Sequence, residues 1–488
     1  MFDLRYPLAA GLVLLFVVAP WAHALGSSGA APASAAAAEP ALQLPDTAAG
    51  RRAAALVAAL RAAGEEQLQR FFSENYAASA VAERSAAVRA AAMRQVLADL
   101  GHGELASVEA VGERTIELVF KAESRPLWIH FALELEPAPP YAILGMRIRA
   151  EDQPPERAAS GLALTEEAAL AAIAAEAEKR AAAGEFSGVV LVARAGRALL
   201  TRALGIAERS FGTPVRGDTR FNLGSINKLF TQVVIQQLAG EGKLDPADRL
   251  SRLLPDYPNR AVAEKVSIQQ LLDHASGLGD IFGERYAATP KSRLRTLADY
   301  LPLFADQPLL FEPGSQQRYS NAGYVVLGLV IERLTGKSYY EAVRERILER
   351  AGMGETGSYE VDDPVANRAA GYTREGEGGA GEAKSSPLRS NVYTLPARGS
   401  SAGGGYSTAA DLLRFAGALR AGRLLKPDRW QRNGGIAVAG GSPGCNAVLE
   451  DDWLTGYTVI VLSNLDPPSA ETLARAVRAL LARVAAGR

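Results

Sequence analysis

The first folded region that the sequence indicates, residues 46–150, changes its hydrophobic period about half-way along. In the first half, apolar residues recur three and four positions apart, the spacing of a helix with one buried face. They are Ala53, Leu56, Val57, Leu60, Leu68, Phe71, Phe72, Val88, Ala92 and Val96. The second half alternates as strands do, in TIELVF, LWIHFALEL and AILGMRIRA. Helices followed by antiparallel strands predict a small α+β accessory domain.

The longer region, residues 164–488, has strand patterns at both of its ends. A helix predicted over 165–182 leads into a buried strand, which turns at Ala195-Gly196 into a second strand. The far end has the strand patterns GCNAVLE and YTVIVLSN, followed by the amphipathic helix SAETLARAVRALLARV. The segment between the two ends is mostly helical. We therefore predict a second α/β (α+β) domain, with an antiparallel sheet and a helical lobe.

One long irregular stretch, residues 372–405, interrupts the helical part and is rich in Gly and Ser. A loop of this length inside a compact domain is usually functional or disordered. We expect a mobile flap here, near the functional site.

The N-terminus has the pattern of a secretory signal peptide. Arg5 precedes an apolar run from Leu8 to Ala19, and Ala22-His23-Ala24 follows. This order predicts a signal peptide over 1–24 with cleavage after Ala24. The apolar run is shorter than the roughly 20 residues that span a bilayer. We expect a periplasmic or secreted protein without stable membrane insertion after cleavage; an uncleaved membrane anchor is the alternative.

Two further segments have the composition of linkers. Residues 25–45 are low-complexity Ala, Ser and Pro, and residues 151–163 are rich in Pro and charged residues. The chain of 488 residues has a formal net charge of -1, which gives no reason to expect nucleic acid as a partner. Oligomeric state is not determined by the sequence.

Several kinds of chemistry are excluded by the residues that they require. The single cysteine, Cys445, has no histidine after it, and no paired metal-ligand spacing occurs, so we expect neither a metal nor a cofactor. Gly440 to Gly444 match the G-x-S-x-G nucleophile elbow of α/β-hydrolases. That elbow uses the backbone N–H after the serine, which Pro443 lacks, and it needs a later histidine. The match is accidental.

A serine and a lysine one helical turn apart are the first positive evidence for chemistry. In NLGSINKLF, Ser225 and Lys228 precede apolar residues in helical spacing that end at Gly240. Ser225 is therefore predicted at a helix N-terminus, where free N–H groups favour developing negative charge. Lys228 is near enough to activate its hydroxyl. Alone, the pair is equally compatible with a capping serine and a solvated lysine.

A second group, Tyr319-Ser320-Asn321, precedes another clear helix in RYSNAGYVVLG. A tyrosine hydroxyl beside a lysine can move a proton between a nucleophile and a leaving group. An asparagine amide there can bind a substrate carbonyl or amide. A capping pair with a surface tyrosine is the alternative for this stretch alone.

Taken together, four ordered motifs resemble the serine β-lactamase and penicillin-binding-protein superfamily, in its class C β-lactamase-like branch. They are GSINKLFT, LLDHASGLGD, PGSQQRYSNAGYVVLG and SAGGGYSTAADLLRF. The resemblance implies that Ser225 is the acylated nucleophile, Lys228 its activating partner and Tyr319 the general base and acid. It implies that Asn321 orients the substrate and that His274 is packed rather than catalytic. The 46–150 region is similar in layout to cone-like nuclear-transport-factor folds.

The third motif of that superfamily is where the sequence departs. Members usually have Lys-Thr-Gly or His-x-Gly on the strand beside the nucleophile, and here Val438-Ala439-Gly440 takes that place. Gly440 lets a substrate approach, and the N–H groups of Gly441 and Ser225 are expected to form an oxyanion hole. The missing cation weakens recognition of a substrate carboxylate, which favours an esterase, an amidase or a peptidase with another anchor. Arg398 or Arg432 is a candidate replacement.

The sequence thus predicts an exported serine hydrolase that acts through an acyl-enzyme on an ester, an amide or a D-amino-acid peptide. Its partner would be a small-molecule or peptidoglycan-like substrate. The alternative is a penicillin- or peptidoglycan-binding module that is acylated without turnover.

Overall fold

The computed structural model describes residues 44–485 apart from 63, 84, 113, 124–125, 152–163, 375–386, 427–433 and 454. The predicted signal peptide and most of both predicted linkers lie outside the described residues. The described chain forms two compact units: residues up to 151 belong to the first, and residues 164–373 and 388–485 belong to the second. Within these residues, no helix combines the length and the apolar character that crossing a bilayer requires.

The N-terminal unit consists of five helices followed by one antiparallel sheet. The helices are α1 (Ala48–Ala62), α2 (Glu65–Asn75), α3 (Ala78–Glu83), α4 (Ala86–Ala92) and α5 (Arg94–Leu100). The strands, in spatial order, are β1 (Glu104–Gly112), β2 (Thr115–Lys121), β3 (Trp128–Leu135) and β4 (Ile143–Glu151). Alternate residues of β2 and β3, such as Leu118 and Phe131, join the apolar faces of α1 and α2 in one core. Every second side chain of a strand and every third or fourth side chain of a helix lie on one face, and these faces pack together to form this core.

The C-terminal unit is organised around a five-stranded antiparallel sheet made from both ends of its sequence. Its first strands are β5 (Gly188–Arg194) and β6 (Arg197–Leu204), and its last are β13 (Gly435–Ser442), β14 (Cys445–Asp452) and β15 (Tyr457–Ser463). The spatial order is β13-β14-β15-β5-β6. Ala195 and Gly196, with φ of 49° and 79°, form the tight turn between β5 and β6, as primed hairpin turns require.

The central strands are buried on both faces, which explains their unbroken apolar sequences. In β5, Val189 and Leu191 face the core of the helical lobe, whereas Val190 and Val192 face a second core. Two helices, α6 (Glu166–Ala182) and α16 (Ser469–Ala485), supply Ile173, Leu473 and other residues of that second core. The predicted antiparallel sheet with a helical lobe is confirmed.

The helical lobe lies in sequence between β6 and β13. Its helices are α7 (Lys228–Gly240), α8 (Leu250–Leu253), α9 (Arg260–Lys265), α10 (Ile268–Leu272), α11 (Glu284–Ala288), α12 (Asn321–Thr335), α13 (Tyr339–Val343), α14 (Glu349–Ala351) and α15 (Ala409–Arg420). Short strand pairs accompany them: β7 (Ile206–Glu208) with β8 (Thr213–Pro214), β9 (Phe221–Asn222) with β12 (Tyr406–Ser407), and β10 (Tyr372–Thr373) with β11 (Arg389–Ser390). The pairing of β9 with β12 brings the segment before Ser225 beside the segment after Gly403.

Candidate active site

Ser225 lies in a short 3₁₀ turn, Gly224–Asn227, that leads directly into α7. The α-helix itself begins at Lys228, later than the apolar pattern predicts. A 3₁₀ turn brings side chains three residues apart into register, and Lys228 Nζ lies 3.2 Å from Ser225 Oγ. The spacing that the sequence shows is thus converted into a direct contact.

The Lys228 ammonium group is buried, with only 6% of the residue exposed. Besides Ser225 Oγ, it donates to Asn321 Oδ1 at 2.7 Å and to the Ala402 carbonyl at 2.5 Å. It also lies 4.8 Å from the centre of the Tyr319 ring. A buried charge is tolerated only when it is well hydrogen-bonded, and these acceptors fix the lysine beside the serine.

Tyr319 reaches the serine from the loop before α12. Its hydroxyl lies 2.6 Å from Ser225 Oγ. The loop is held because the Ser320 side chain caps α12 through Gly323 N and donates to the Gly279 carbonyl. The imidazole of His274 stacks on the Tyr319 ring at 4.6 Å between centroids. The phenol is therefore positioned from two sides.

His274 supports the site and does not contact the serine. Its Nδ1 accepts a hydrogen bond from the Ser320 backbone N–H at 3.1 Å. Burial, and then repulsion by the Lys228 ammonium, lowers the pKa of His274 to about 3. The ring is neutral near pH 7 and stays an acceptor, which agrees with the packing role expected from the sequence.

Asn321 bridges the lysine to a carboxylate that the sequence analysis did not single out. Its Oδ1 accepts from Lys228, and its Nδ2 lies 3.1 and 3.0 Å from the two carboxylate oxygens of Asp280. The amide is therefore engaged at both ends, whereas the sequence analysis expects it to orient substrate. Asp280 is the last residue of the motif LLDHASGLGD. It lies far from Lys228 in sequence, so no local pattern predicts that it contacts Asn321.

The strand β13 brings Gly440 and Gly441 beside the nucleophile. A Cβ on Gly440 would lie 2.7 Å from Ser225 N, and a Cβ on Gly224 would lie 2.8 Å from Gly441 N. These separations are too short for any side chain. Both glycines thus permit a close approach between β13 and the turn that holds Ser225.

The orientation of the Gly441 N–H follows from the hairpin register. Ser442 pairs with Cys445 across a two-residue turn, and Gly441 pairs with Asn446. Hydrogen-bonded and non-hydrogen-bonded pairs alternate along an antiparallel ladder, beginning with a hydrogen-bonded pair at such a turn. The Gly441 N–H therefore points away from β14, and β13 is the end strand of its sheet. The turn that holds Ser225 lies against this open edge.

The cation expected on β13 is replaced by Val438, which packs against the core of the helical lobe. Arg398 does not substitute for it, because its Nε donates to the Ser358 carbonyl at 2.8 Å and its guanidinium lies over the Tyr340 ring at 3.5 Å. Arg432, the other candidate, lies outside the described residues. Cys445 is buried, and burial raises the pKa of its thiol to about 12, as suits a packed side chain.

The stretch predicted as a flap has a packed end. Residues 375–386 lie outside the described residues, but Ser400, Ser401 and Ala402 are buried. The Ala402 carbonyl is a Lys228 acceptor, and Ser401 donates to the Tyr324 carbonyl at 2.8 Å. This end of the stretch is part of the wall of the site, a role that its Gly-rich composition did not indicate.

Comparison with known proteins agrees with this geometry. The β-lactamase family model matches residues 172–443, which is more than half of the chain. The chain belongs to the β-lactamase family. Family members include esterases and penicillin-binding proteins, and the chain is a serine hydrolase of this type.

Relatives of this β-lactamase-family chain differ in the activities that their names give. Esterase EstB of Burkholderia gladioli is 32% identical over 58% of this chain and 77% of its own length. Penicillin-binding protein 4* of Bacillus subtilis is 31% identical over 43% of this chain, but the match spans only 45% of that protein. Similarity to these two does not select a substrate.

Solved structures extend the comparison to the fold. A penicillin-binding protein from Bacillus halodurans is 30% identical, with a TM-score of 0.55, over 64% of this chain and 99% of its own. A D-amino acid amidase from Ochrobactrum anthropi SV3, at 24% identity and a TM-score of 0.55, covers 66% of this chain and 99% of its own. The second likeness shows the fold alone.

Proposed function

We propose that the chain hydrolyses ester or amide bonds through a covalent acyl-enzyme formed on Ser225. The observation that supports this most directly is the meeting of three groups: Ser225 Oγ is 2.6 Å from the Tyr319 hydroxyl and 3.2 Å from Lys228 Nζ. These distances are within the reach that proton transfer and nucleophile activation need.

In the proposed acylation, Tyr319 reacts as its phenolate: Ser225 Oγ attacks the substrate carbonyl carbon while the serine proton passes to the phenolate oxygen. The Lys228 ammonium stabilises the negative charge that develops on the two oxygens. The carbonyl oxygen becomes an oxyanion between the N–H groups of Ser225 and Gly441. Tyr319 then returns the proton to the leaving alcohol or amine as its bond to the acyl carbon breaks.

In the proposed deacylation, water attacks the Ser225 ester and the same groups act in reverse. Tyr319 takes a proton from the water, the second tetrahedral intermediate collapses, and Ser225 Oγ leaves with that proton. A general base that can activate the attacking water favours turnover over the alternative of a binding module that is acylated without release.

For the substrate, we propose an ester or amide without a carboxylate next to the bond that breaks. Val438 stands where a cation would bind that carboxylate, and Arg398 is held elsewhere by Ser358 and Tyr340. Buried recognition of an anion needs a paired cation, so efficient β-lactam turnover is not expected.

The experiment is covalent labelling of purified protein with a fluorophosphonate, followed by turnover assays on p-nitrophenyl acetate, a chromogenic cephalosporin and a D-Ala-D-Ala peptide. Ser225→Ala should abolish labelling, whereas Ser442→Ala, in the accidental G-x-S-x-G match, should keep it. The ester should turn over fastest. Labelling that survives Ser225→Ala would place the nucleophile elsewhere, and stoichiometric acylation without release would support the binding module.

We also propose that the protein is exported, on the basis of the N-terminal pattern that ends at Ala24. Mass spectrometry of the mature protein from its native host should find Leu25 as the first residue. A mature protein that begins at Met1 would contradict this.

A further inference from the structure

Large apolar side chains that remain exposed gather around one edge of the candidate active site. Among the described residues, those of this kind are Phe211, Phe282, Leu310, Val392 and Tyr393, with Phe282 at 57% and Tyr393 at 88% exposure. A chain of contacts links each of these residues except Phe211 to the site. Exposed apolar groups that cluster mark binding surfaces far more often than isolated ones do.

The first contacts that link these side chains to the site begin at Asn321. Asp280 accepts from the Asn321 side chain, and one of its oxygens also accepts from the Phe282 backbone N–H at 3.0 Å. The Phe282 ring packs edge-on against Tyr286 at 5.0 Å between centroids. On the other side of the same loop, a Cβ on Gly279 would lie 4.0 Å from Leu310. Phe282, Tyr286 and Leu310 are thus linked through this loop to the Asn321 side of the site.

Further contacts continue to the strand that bears Gly441. The Tyr286 hydroxyl donates to the Thr394 carbonyl at 3.1 Å, which ties the loop of Val392 and Tyr393 to α11. At the start of that loop, Asn391 Nδ2 donates to the Pro443 carbonyl at 2.8 Å, in the turn after β13. We define Phe282, Tyr286, Leu310, Val392 and Tyr393 as the apolar rim, which runs from Asn321 to the oxyanion side.

The five side chains of the rim carry no charge, although Arg389 lies exposed on β11, three residues before Val392. Lys291 lies over the Tyr286 ring at 4.1 Å, but its Nζ donates to the Tyr286 and Thr289 carbonyls. The charged group at the inner end of the rim is the Asp280 carboxylate, which repels anions. Val438 adds no charge. An uncharged, extended apolar group is the chemistry that this edge fits.

We propose that the apolar rim binds the acyl chain of the substrate, so that the enzyme prefers esters with acyl chains longer than acetyl. This inference rests on the proposed function. The acyl chain is chosen over the alcohol because Tyr319 must reach the leaving oxygen, whereas the loop of Tyr393 contacts the turn that follows the strand of the oxyanion donor. Part of the rim becomes buried when a longer chain binds, and burial of apolar surface lowers the free energy of the transition state.

The test compares kcat/KM for p-nitrophenyl hexanoate with that for p-nitrophenyl acetate, which share a leaving group. In the wild type, the hexanoate value should exceed the acetate value. Phe282→Ala and Tyr393→Ala should each lower the hexanoate-to-acetate ratio by about ten-fold. Phe211→Ala removes an equally exposed ring, at 88%, from the turn between β7 and β8, and should leave the ratio unchanged.

Each other outcome has a definite meaning. Ratios unchanged in both rim variants, with acetate still cleaved through Ser225, would overturn the rim assignment and leave the proposed function standing. No cleavage of either ester by the wild type would overturn the proposed function itself. A wild-type dimer that dissociates to monomers in Tyr393→Ala, measured by analytical ultracentrifugation, would assign the rim to a second copy of the chain and overturn the acyl-chain proposal.

Discussion

Lys228 owes its position to acceptors from three different parts of the chain. Ser225 comes from its own turn, Asn321 from the start of α12, and Ala402 from the stretch before β12. The serine contact follows from a spacing of three residues and could be predicted. The Ala402 carbonyl and the Asp280 carboxylate behind Asn321 could not, because no local pattern marks a residue whose partner is far away in sequence.

Asp280→Asn should lower kcat/KM for p-nitrophenyl acetate by about 10- to 100-fold. The Asp280 carboxylate accepts from the Asn321 amide through both oxygens, and hydrogen bonds to a charged group contribute about 1.5–3 kcal/mol. Without it, the amide is free to turn its nitrogen toward Lys228, which removes an acceptor from the ammonium.

The control for this variant is Asp218→Asn, which removes a surface carboxylate paired with Arg216. It should leave kcat/KM within two-fold, since exposed ion pairs contribute roughly 0–1 kcal/mol. The pH profile of kcat/KM should also change in Asp280→Asn, because the lysine environment changes. An unaltered profile with a lower melting temperature would make Asp280 merely structural.

His274 should make the protein less stable below about pH 6.5. Its folded-state pKa, about 3, is lower than the ordinary value of 6.5, so the unfolded chain binds its proton first. Stability from the neutral ring is therefore complete above about pH 6.5 and declines as the pH falls toward 3. When the pH falls from 7.5 to 5.5, the free energy of unfolding of the wild type should decrease by about 1 kcal/mol more than that of His274→Asn.

Urea unfolding at the two pH values measures this difference. Asparagine suits the site because the backbone φ of residue 274 is 56°, a region that asparagine adopts more readily than most residues. Equal losses in both proteins would mean that the imidazole is not kept neutral by its surroundings.

At the scale of elements, the strand β13 and the turn before α7 depend on each other. The hairpin of β5 and β6 and the helix α12 could be predicted, because their periodicity, turn residues and caps are local. The 3₁₀ turn before α7 was not expected, since the apolar pattern is the same for either kind of helix. Gly440 approaches this turn closely, and that approach follows only from the folded sheet.

Gly440→Ala should reduce the rate of Ser225 acylation by about 100-fold or more. The new Cβ would lie 2.1 Å from the Leu223 carbonyl and 2.7 Å from Ser225 N, so β13 must move and the two backbone donors separate. Loss of one oxyanion donor typically lowers the rate about 100- to 1,000-fold. Single-turnover labelling by a fluorophosphonate measures this step.

Gly417→Ala is the matched control, because a Cβ there meets no atom within 4 Å. It lies inside α15, where alanine is favoured over glycine by about 1 kcal/mol. This variant should label at the wild-type rate and melt at a slightly higher temperature. A normal labelling rate in Gly440→Ala would show that the donors are not where the hairpin register puts them.

At the scale of the whole molecule, the described chain has separate cores. The core of the N-terminal unit contains Phe131 and Leu118, and the core of the helical lobe contains Phe415 and Phe230. All of the residues proposed for catalysis belong to the C-terminal unit. Each unit should therefore unfold as its own cooperative transition.

Phe131→Ala should lower the unfolding temperature of one calorimetric transition and leave fluorophosphonate labelling at the wild-type rate. Phe131 is fully buried and packs edge-on against Phe120 at 5.6 Å, and such truncations lower stability by about 3–5 kcal/mol. Phe415→Ala, which removes a buried ring of the helical lobe, should lower the unfolding temperature of the other transition. A single transition that both variants shift would contradict independent units.

The sequence by itself determined the elements, the fold class and the family, because periodicity, turn residues and short motifs act over a few neighbouring positions. It also indicated Ser225, Lys228, Tyr319 and Asn321 as candidates for chemistry. Only the tertiary structure decided that these residues meet, that Asp280 and Ala402 join them, and that exposed apolar side chains are linked to the same site. Contacts between positions distant in sequence arise only when the strands and helices pack, and no local pattern records them.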